Sequence, residues 1–391
     1  MSYVLCFHRW AGAQAIYDNY PLPSGLMIRA LCTPESVPSL PQERLASFST
    51  IDSMDDPVAV HKEIERIIGQ HGIPTLVVAL NEGDLLSAAS VREQYGLRGD
   101  HRTWAEQFRD KLMMADIASR QNSISVLPTV GVDSVESIEL IANEFGYPLV
   151  IKPRYGTASR GVRILRCPED IQGKEMIYSE PMIAQVYCSS PIIHVDGWWD
   201  GQRIVVATAS TYVNNCAEYG PYSPLGSIEL PAGSDEDEIV NSASELLGVF
   251  SPKKEIVFHL ELFDTGEELV FLEIGARVGG AEIPFIWRDI RGIDLLGIAW
   301  ELQVFESTRY RDMARKNSYD GRPIYGERGA WLISHSKCTI DCEVLSLYWS
   351  RPENSLSASG IYEGAKTRLR LRNTQRLELE KDMCKLIGKL S

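Results

Sequence analysis

The first hundred residues alternate apolar strands with an amphipathic helix. Residues 2–7 and 73–80 are continuous apolar runs, which are typical of strands buried in a parallel sheet. Between them, residues 55–72 have the apolar spacing of a helix with one buried face. The pattern therefore predicts a small α/β unit over residues 1–110.

A loop with two carboxylates follows the second apolar run. Glu82 and Asp84 lie at the carboxyl end of that strand, where ligands often bind. Asp84 can alternatively cap a helix over 85–95 that ends at Gly96. We expect Asp84 to be this cap, and Glu82 is a candidate ligand contact.

Further helices are predicted around the middle of the chain. One begins around Asp110, and a second is capped by Asp133 or Ser134 and ends at Gly146. Residues 233–250 hold an acidic turn followed by a third predicted helix. Beyond residue 300 the pattern weakens, and its apolar and basic segments indicate a closing α+β subdomain.

Small residues crowd a loop between two predicted strands in the stretch PLVIKPRYGTASRGVRIL. Gly156, Ser159 and Gly161 allow backbone N–H groups to approach an anion, and Lys152 adds a compact positive charge. The residues after Gly161 are β-branched and apolar, so the loop joins two strands and does not begin a helix as a P-loop does. The stretch predicts either a phosphate-binding flap or an ordinary surface hairpin.

A predicted hairpin over residues 256–277 carries two glutamates among apolar neighbours. If its turn holds an odd number of residues, Glu261 and Glu273 share one face. Carboxylates in apolar surroundings are costly to bury unless they bind cations, and oxygen ligands suit Mg²⁺ held together with phosphates. Arg277, at the strand's end, suits a carboxylate or a developing phosphoryl charge. The alternative is a solvent-facing hairpin with ordinary surface charges.

Composition narrows the classes of partner. The chain has 391 residues, a formal net charge of −14 and a pI of about 5.1, which argues against nucleic acid or an acidic membrane as the main partner. No apolar run approaches the roughly 18 residues that span a bilayer, so we expect a cytoplasmic protein. The 8 cysteines are scattered, and His335, Cys338 and Cys342 lack a second pair to complete a zinc site.

Taken in order, these segments resemble the ATP-grasp superfamily. The matching segments are Asp110-Lys111, VIKPRYGTASRGV at 150–162, AQVYCSSPIIHVDGWWDG at 184–201, and LELF at 260–263 with FLEIGARVGGAEI at 271–283. The resemblance implies an α/β (α+β) fold in four parts. These are a Rossmann-like pre-ATP-grasp domain (1–110), a small subdomain with the flap (111–184), a large subdomain with the metal site (185–300) and an α+β subdomain (301–391).

The resemblance also implies an ADP-forming ligase, which activates a carboxylate as an acylphosphate that an amine attacks. Its implied roles are ATP phosphate binding by Lys111, Lys152, Gly156, Ser159 and Gly161, adenine binding by Gln185, Val186 and Tyr187, Mg²⁺ binding by Glu261 and Glu273 with Mn²⁺ as an alternative ion, and carboxylate orientation by Arg277. Glu82, Glu282 and Arg291 are candidate substrate contacts, and the last two have a structural role as the alternative. The substrates would be a small carboxylate and an amine, and the resemblance leaves open whether the chain forms a homodimer.

Four positions depart from the superfamily pattern. Gln185 replaces a glutamate, Ser190 a glycine, Ile192 an acidic residue expected at the ribose, and Gly275 an asparagine expected at the metal. The segments LEIGARVGGAEIPFI at 272–286 and GIDLLGIAWELQ at 292–303, with the α+β piece that follows, most resemble dipeptide-forming ligases such as L-amino acid ligase and carnosine synthase. The alternatives are a carboxylating or purine-pathway ligase and a nucleotide-binding protein without catalysis.

Overall fold

The computed structural model of the chain describes residues 2–9, 20–171, 180–220, 222–310, 326–338, 340, 343–350 and 365–390. Cys342 of the predicted His–Cys group lies outside these ranges. The described residues form three sheets, of four, nine and four strands. No helix in this part of the chain is both long enough and apolar enough to cross a membrane.

The N-terminal unit is a parallel sheet, as the continuous apolar runs predicted. Its strand order is β3-β2-β1-β4. Its elements are β1 (Tyr3–His8), β2 (Met27–Cys32), β3 (Leu45–Thr50), α1 (Pro57–His71), β4 (Leu76–Ala79), α2 (Leu85–Tyr95) and α3 (Arg102–Glu106). Asp56 caps α1 by accepting from the backbone amides of Val58 and Ala59, and Gly96 ends α2 with a left-handed φ of 63°.

Asp84 does not cap α2, so that prediction was wrong. The residue immediately precedes the helix, at the N-cap position, but its side chain accepts no capping hydrogen bond. Arg9 Nε instead donates to Asp84 Oδ1 at 2.7 Å. The two meet because β1 and β4 are parallel neighbours that end at the same edge of the sheet, and a charge-assisted hydrogen bond is stronger than one from a neutral amide.

An antiparallel sheet follows, with strand order β6-β9-β7-β8. The elements of this region are α4 (Lys111–Ala118), β5 (Ser125–Val126), β6 (Thr129–Val132), α5 (Val135–Phe145), β7 (Leu149–Pro153), β8 (Arg163–Leu165) and β9 (Met182–Val186). Asp110 caps α4, and Ser134 is the one of the two candidates that caps α5. The small-residue loop joins β7 to β8, which confirms that it does not begin a helix.

The rest of the chain builds one large sheet of order β16-β17-β15-β12-β11-β10-β13-β14-β5. Its elements and flanking helices are β10 (Ile192–Trp199), β11 (Ile204–Tyr212), β12 (Leu225–Glu229), α6 (Ser234–Phe250), β13 (Ile256–Asp264), β14 (Leu269–Gly275), α7 (Ile283–Arg291), α8 (Leu295–Phe305), β15 (Arg328–Ser334), β16 (Leu347–Ser350), β17 (Thr367–Asn373) and α9 (Arg376–Ile387). β15 pairs with β12, so strands from the predicted closing subdomain extend the same sheet.

The turn between β13 and β14 spans 265–268, an even number of residues, and not the odd number on which the shared face depended. A β-bulge corrects the register: Leu262 pairs with Phe271, whereas Glu261 pairs with Glu273. The two carboxylates therefore lie directly opposite each other on neighbouring strands.

One apolar core joins the N-terminal sheet to the large sheet through α7 and α8. Val78 of β4, Trp287 of α7, Trp300 of α8 and Trp331 of β15 are all at most 3% exposed and belong to it. Burial of this size is the main favourable term in folding. The core holds the loops at the carboxyl ends of β1–β4 over the β13–β14 hairpin, and this arrangement positions the candidate site.

Candidate active site

Two cavities meet at the hairpin. The larger, of about 510 Å³, lies between the loops of the N-terminal sheet and the hairpin. The smaller, of about 90 Å³, lies between the β6–β9 sheet and the large sheet. Glu261, Glu273 and residues 157–160 line both cavities. Ligands bound in the two cavities would therefore meet at these two carboxylates.

Both carboxylates are held by neighbouring side chains. Tyr212 Oη donates to Glu261 Oε1 at 2.9 Å, and His259 Nε2 lies 3.3 Å from the same oxygen. Lys111 Nζ lies 2.8 Å from Glu273 Oε2. Burial raises the pKa of a carboxyl group, but the hydrogen bonds and positive charge at His259 bring the pKa of Glu261 below its usual value. Glu261 is thus available as an anionic ligand, and Glu273 forms an ion pair with Lys111.

Two lysines lie beside the smaller cavity and are almost fully buried. Lys111 Nζ donates to the carbonyl oxygen of Gly156 at 2.8 Å, and Lys152 Nζ donates to Gln185 Oε1 at 3.0 Å. Burial lowers the pKa of Lys152 to about 8. An anionic group in the cavity would favour the charged form of this lysine, so the pair suits phosphate.

The loop between β7 and β8 has backbone conformations that favour small residues. Ala158, Ser159 and Gly161 have φ values of 52°, 56° and 73°. A Cβ atom on Gly161 would lie 2.8 Å from Pro153 Cγ, so this position requires glycine. Arg160 Nη1 donates to Asp55 Oδ2 at 2.5 Å, which ties the loop to the N-terminal unit across the larger cavity.

The loop is expected to become more ordered when nucleotide binds, because phosphate oxygens would accept from its backbone N–H groups. Hydrogen exchange at residues 156–160 should slow by about tenfold with Mg-ATP, measured by mass spectrometry on the wild-type chain. The hairpin turn at 265–268, which lines neither cavity, is the internal control and should not change. Equal exchange at 156–160 with and without nucleotide would contradict a role as a phosphate flap.

Arg277 lines the larger cavity and is paired with Glu82. Its Nε and Nη2 donate to Glu82 Oε2 at 2.9 and 2.6 Å, and Arg109 Nη1 donates to Glu82 Oε1 at 2.5 Å. Burial opposes ionisation, but Arg277 and Arg109 lower the pKa of Glu82 to about 2. Glu82 therefore orients the arginine, and both residues remain next to the space where a substrate would lie.

Glu282 and Arg291 line neither cavity. Glu282 is fully buried at the start of α7, where it accepts from Arg368 Nε and Arg370 Nε at 2.5 Å each. Arg291 Nη1 donates to Glu229 Oε1 at 2.6 Å inside the core. Pairing outside the cavities favours the structural alternative for both side chains, and substrate contact by either one stays a prediction.

The three residues predicted at adenine lie at the end of β9 and line the smaller cavity. Gln185 Oε1 accepts from Lys152, and Gln185 Nε2 donates to Thr129 Oγ1 at 2.9 Å. The backbone N–H groups of Val186 and Tyr187 donate to the carbonyl oxygens of two prolines, at 3.2 and 3.3 Å. Contact between these residues and a base stays a prediction.

Sequence reasoning missed a buried polar group beneath the carboxylates. His194 and Asp196 lie on β10 directly opposite Glu261 and His259 on β13. Burial alone would lower the pKa of His259, but the carboxylate of Asp196 raises it to about 9. The available signal was the alternation of His194 and Asp196 along one strand, which places both on one face, but their partners could be assigned only with the strand pairing.

The donor set fits a magnesium nucleotide. Glu261 Oε2 and Glu273 Oε1 accept no hydrogen bond from any described residue, so each carboxylate keeps one oxygen for a cation. Apolar side chains also line the smaller cavity, as a flat base requires: Val150, Val186, Ile192, Phe263 and Leu272.

Comparison with known proteins supports the fold assignment. No protein-family model matches the chain. The first curated relatives it matches are carbamoyl phosphate synthase large chains from Brucella suis and Brucella melitensis, 22% identical over 247 residues, which cover 56% of this chain and 20% of theirs. The chain thus spans about a fifth of the length of these relatives.

Solved structures match over nearly the whole chain. The L-amino acid ligase from Bacillus licheniformis has a TM-score of 0.70 at 15% identity and covers 100% of this chain and 98% of its own. N5-carboxyaminoimidazole synthetase from Staphylococcus aureus, complexed with ADP, has a TM-score of 0.64 at 14% identity and covers 99% and 97%.

The protein has the ATP-grasp fold, as the sequence resemblance implied, and the bounds of its four parts stay a prediction. Among solved proteins of this fold, it is similar to an L-amino acid ligase and to a carboxyaminoimidazole synthetase.

Proposed function

We propose that the protein is an ATP-dependent carboxylate–amine ligase that releases ADP and phosphate. The observation that carries this proposal is the position of Glu261 and Glu273 where the two cavities meet. One cavity offers lysines and apolar walls for a nucleotide, and the other offers Arg277 for a carboxylate. A phosphoryl group at the junction would be in reach of both ligands.

The residues of the smaller cavity have distinct roles in this proposal. Lys111 and Lys152 neutralise phosphate oxygens, and the loop with Gly156, Ser159 and Gly161 covers them and excludes water that would hydrolyse an activated intermediate. The end of β9, with Gln185, Val186 and Tyr187, lies against the base. Burial of both lysines supports these roles, because an anion would stabilise their charged forms.

Glu261 and Glu273 would hold Mg²⁺ beside the phosphates. When bound, this ion neutralises charge on the transferring phosphoryl group. The cross-strand register supports the assignment, because it brings the two carboxylates together on one face.

Two steps join the substrates. A carboxylate oxygen attacks the γ-phosphorus of ATP, the bond from that phosphorus to the β,γ-bridging oxygen breaks, and ADP leaves. The amine nitrogen then attacks the acyl carbon, the carbon–oxygen bond to phosphate breaks, and the amine proton passes to phosphate or water. Arg277, oriented by Glu82, would hold the carboxylate for the first step and stabilise its developing charge.

The substrates proposed are an amino acid, as the carboxylate, and a second amino compound, joined by a peptide bond. The likeness to L-amino acid ligase along the full chain supports this pairing. The second candidate, a carboxylating ligase that uses bicarbonate, is favoured by the likeness to carboxyaminoimidazole synthetase. Product analysis with amino acids and with bicarbonate separates the two.

Isotope transfer tests the chemical route. With a carboxylate substrate that carries heavy oxygen, one labelled oxygen should appear in the released phosphate, because the carbon–oxygen bond to that atom breaks in the second step. The measurement is mass spectrometry of the phosphate and of the nucleotide product. AMP with pyrophosphate, or phosphate without the label, would contradict an acylphosphate route. Nucleotide binding without any ADP formation across a broad screen would indicate a non-catalytic protein.

A further inference from the structure

A buried chain of hydrogen bonds leads from β12 to the carboxylate of Glu261. Ser227 Oγ lies 2.6 Å from His194 Nε2, and His194 Nδ1 lies 2.6 Å from Asp196 Oδ2. Asp196 Oδ1 lies 2.8 Å from His259 Nδ1, and His259 Nε2 lies 3.3 Å from Glu261 Oε1. All five residues are at most 8% exposed. The proposed function gives no role to the first four.

This row of hydrogen-bonded residues is closed to substrates. A serine, a histidine and an aspartate nevertheless follow one another in it as in a nucleophilic triad. The void beside Ser227 and His194 measures about 10 Å³, room for one water molecule. A Cβ on Gly279 would lie 2.4 Å from Asp196 Oδ1, so the backbone closes over the carboxylate. An acyl substrate therefore does not fit beside Ser227, which excludes its hydrolysis there.

His194, Asp196 and His259 are also a candidate for a separate metal site, but their hydrogen bonds already satisfy them. The ligand atoms of His194, Asp196 and His259 lie within 4.8 Å of one another, but both carboxylate oxygens of Asp196 already bond to ring nitrogens. The other nitrogen of each ring faces Ser227 or Glu261. These hydrogen bonds thus satisfy the polar groups of His194 and Asp196, and they lead to the larger cavity through His259, which lines it and contacts Glu261 Oε1.

We propose that His259 is a positioning residue that, together with Tyr212, fixes Glu261 Oε1 and so presents Glu261 Oε2 to a divalent cation. The inference rests on the proposed function. Two donors on one oxygen, Tyr212 from β11 and His259 from β13 itself, remove the rotation of the carboxylate about its last bond. A cation then binds a carboxylate that is already ordered, so the carboxylate loses no further conformational entropy when the cation binds.

The pairing of β10 with β13 explains how the position is maintained. His194 is opposite Glu261, and Asp196 is opposite His259, so the hydrogen bonds pass from β10 to β13 at the contact of Asp196 with His259. Asp196 sets the direction of the His259 ring, and His194 with Ser227 sets the direction of Asp196. Loss of a partner next to a metal ligand typically weakens metal affinity by about 10–100-fold.

Direct titration with Mn²⁺ in the presence of ADP, followed by electron paramagnetic resonance of the free ion, tests the inference. His259→Leu should raise the Mn²⁺ dissociation constant by about 10–100-fold, and Tyr212→Phe by about tenfold. His259→Gln should restore part of the affinity, because its amide N–H can donate toward Glu261. In turnover assays, the Mg²⁺ concentration for half-maximal rate should rise while the rate at saturating Mg²⁺ changes little.

Thr208→Val is the matched control. Thr208 is a buried polar residue opposite Asp196 on β11, and its hydroxyl donates to Glu236 Oε1 at 2.9 Å, away from Glu261. This variant should lose stability but keep wild-type Mn²⁺ affinity. Glu261→Gln is the reference for loss of the ligand itself.

The outcomes separate the inference from the function on which it rests. Mn²⁺ affinity that falls in Glu261→Gln but is unchanged in His259→Leu and Tyr212→Phe overturns the inference alone. A wild-type chain that binds no Mn²⁺ with ADP overturns the proposed function and the inference together. An equal loss in Thr208→Val assigns the effect to general destabilisation and also overturns it. If His259→Leu does not fold, Tyr212→Phe, which keeps the ring, decides the result.

Discussion

Glu273→Gln is expected to lower turnover by orders of magnitude, about a hundredfold or more, in a protein that still folds. The change removes one of the two anionic groups at the junction of the cavities and keeps the shape of the side chain. It also leaves Lys111, whose Nζ lies 2.8 Å from Glu273 Oε2, without its counter-ion. Lys111 is almost fully buried but keeps its hydrogen bond to Gly156, so the loss of its counter-ion should lower stability without unfolding the protein.

ADP formation with a carboxylate and an amine measures the effect, and thermal unfolding measures the fold. Glu267→Gln is the matched control, because Glu267 is an exposed glutamate in the turn of the same hairpin. The control should keep wild-type turnover. Full activity in a folded Glu273→Gln variant would contradict the metal role of this carboxylate.

Arg277→Lys is expected to reduce turnover by about tenfold to a thousandfold, with a smaller effect on nucleotide binding. Lysine keeps the positive charge but loses the planar fork. In the structure, Arg277 Nε and Nη2 donate to Glu82 Oε2 at 2.9 and 2.6 Å. These two hydrogen bonds fix the orientation of the guanidinium plane beside the larger cavity. A lysine ammonium would meet the same carboxylate without fixing that plane, so the substrate carboxylate would lose its orientation.

The measurement combines turnover with transfer of heavy oxygen from the carboxylate to phosphate. Arg328→Lys is the matched control: Arg328 is also buried and makes two hydrogen bonds to one carboxylate, that of Glu236, at 3.0 and 2.9 Å. It lines neither cavity. Comparable losses of stability in both variants, with loss of turnover only at Arg277, are expected. Unchanged turnover in Arg277→Lys would remove this residue from the mechanism.

The sequence by itself determined the local elements, because the interactions that form them lie within a few residues. Asp56 begins α1 and Gly96 ends α2, in each case through hydrogen bonds with backbone groups a few residues away. The apolar run of β4 indicated a buried parallel strand without knowledge of its neighbours. The order of the segments that resemble the ATP-grasp superfamily, from Lys111 to Arg277, was enough to indicate the fold.

The candidate site was predicted in part. The spacing of Glu261 and Glu273 within one hairpin indicated a pair of carboxylates, since both strands are close in the chain. The shared face nevertheless depends on a bulge between Phe271 and Glu273 that compensates for an even turn. A bulge is a property of two paired strands, and the sequence pattern of one strand does not reveal it.

Only the tertiary structure decided the partners across long separations. Glu82 and Arg277 are 195 residues apart, and Asp55 and Arg160 are 105 apart. Asp84 looked like a helix cap until Arg9, 75 residues away, supplied a charge-assisted partner. Each of these pairings follows from the way the sheets are docked through a shared apolar core. Burial is non-directional and sums over many side chains, so no local pattern specifies which charged groups it brings together.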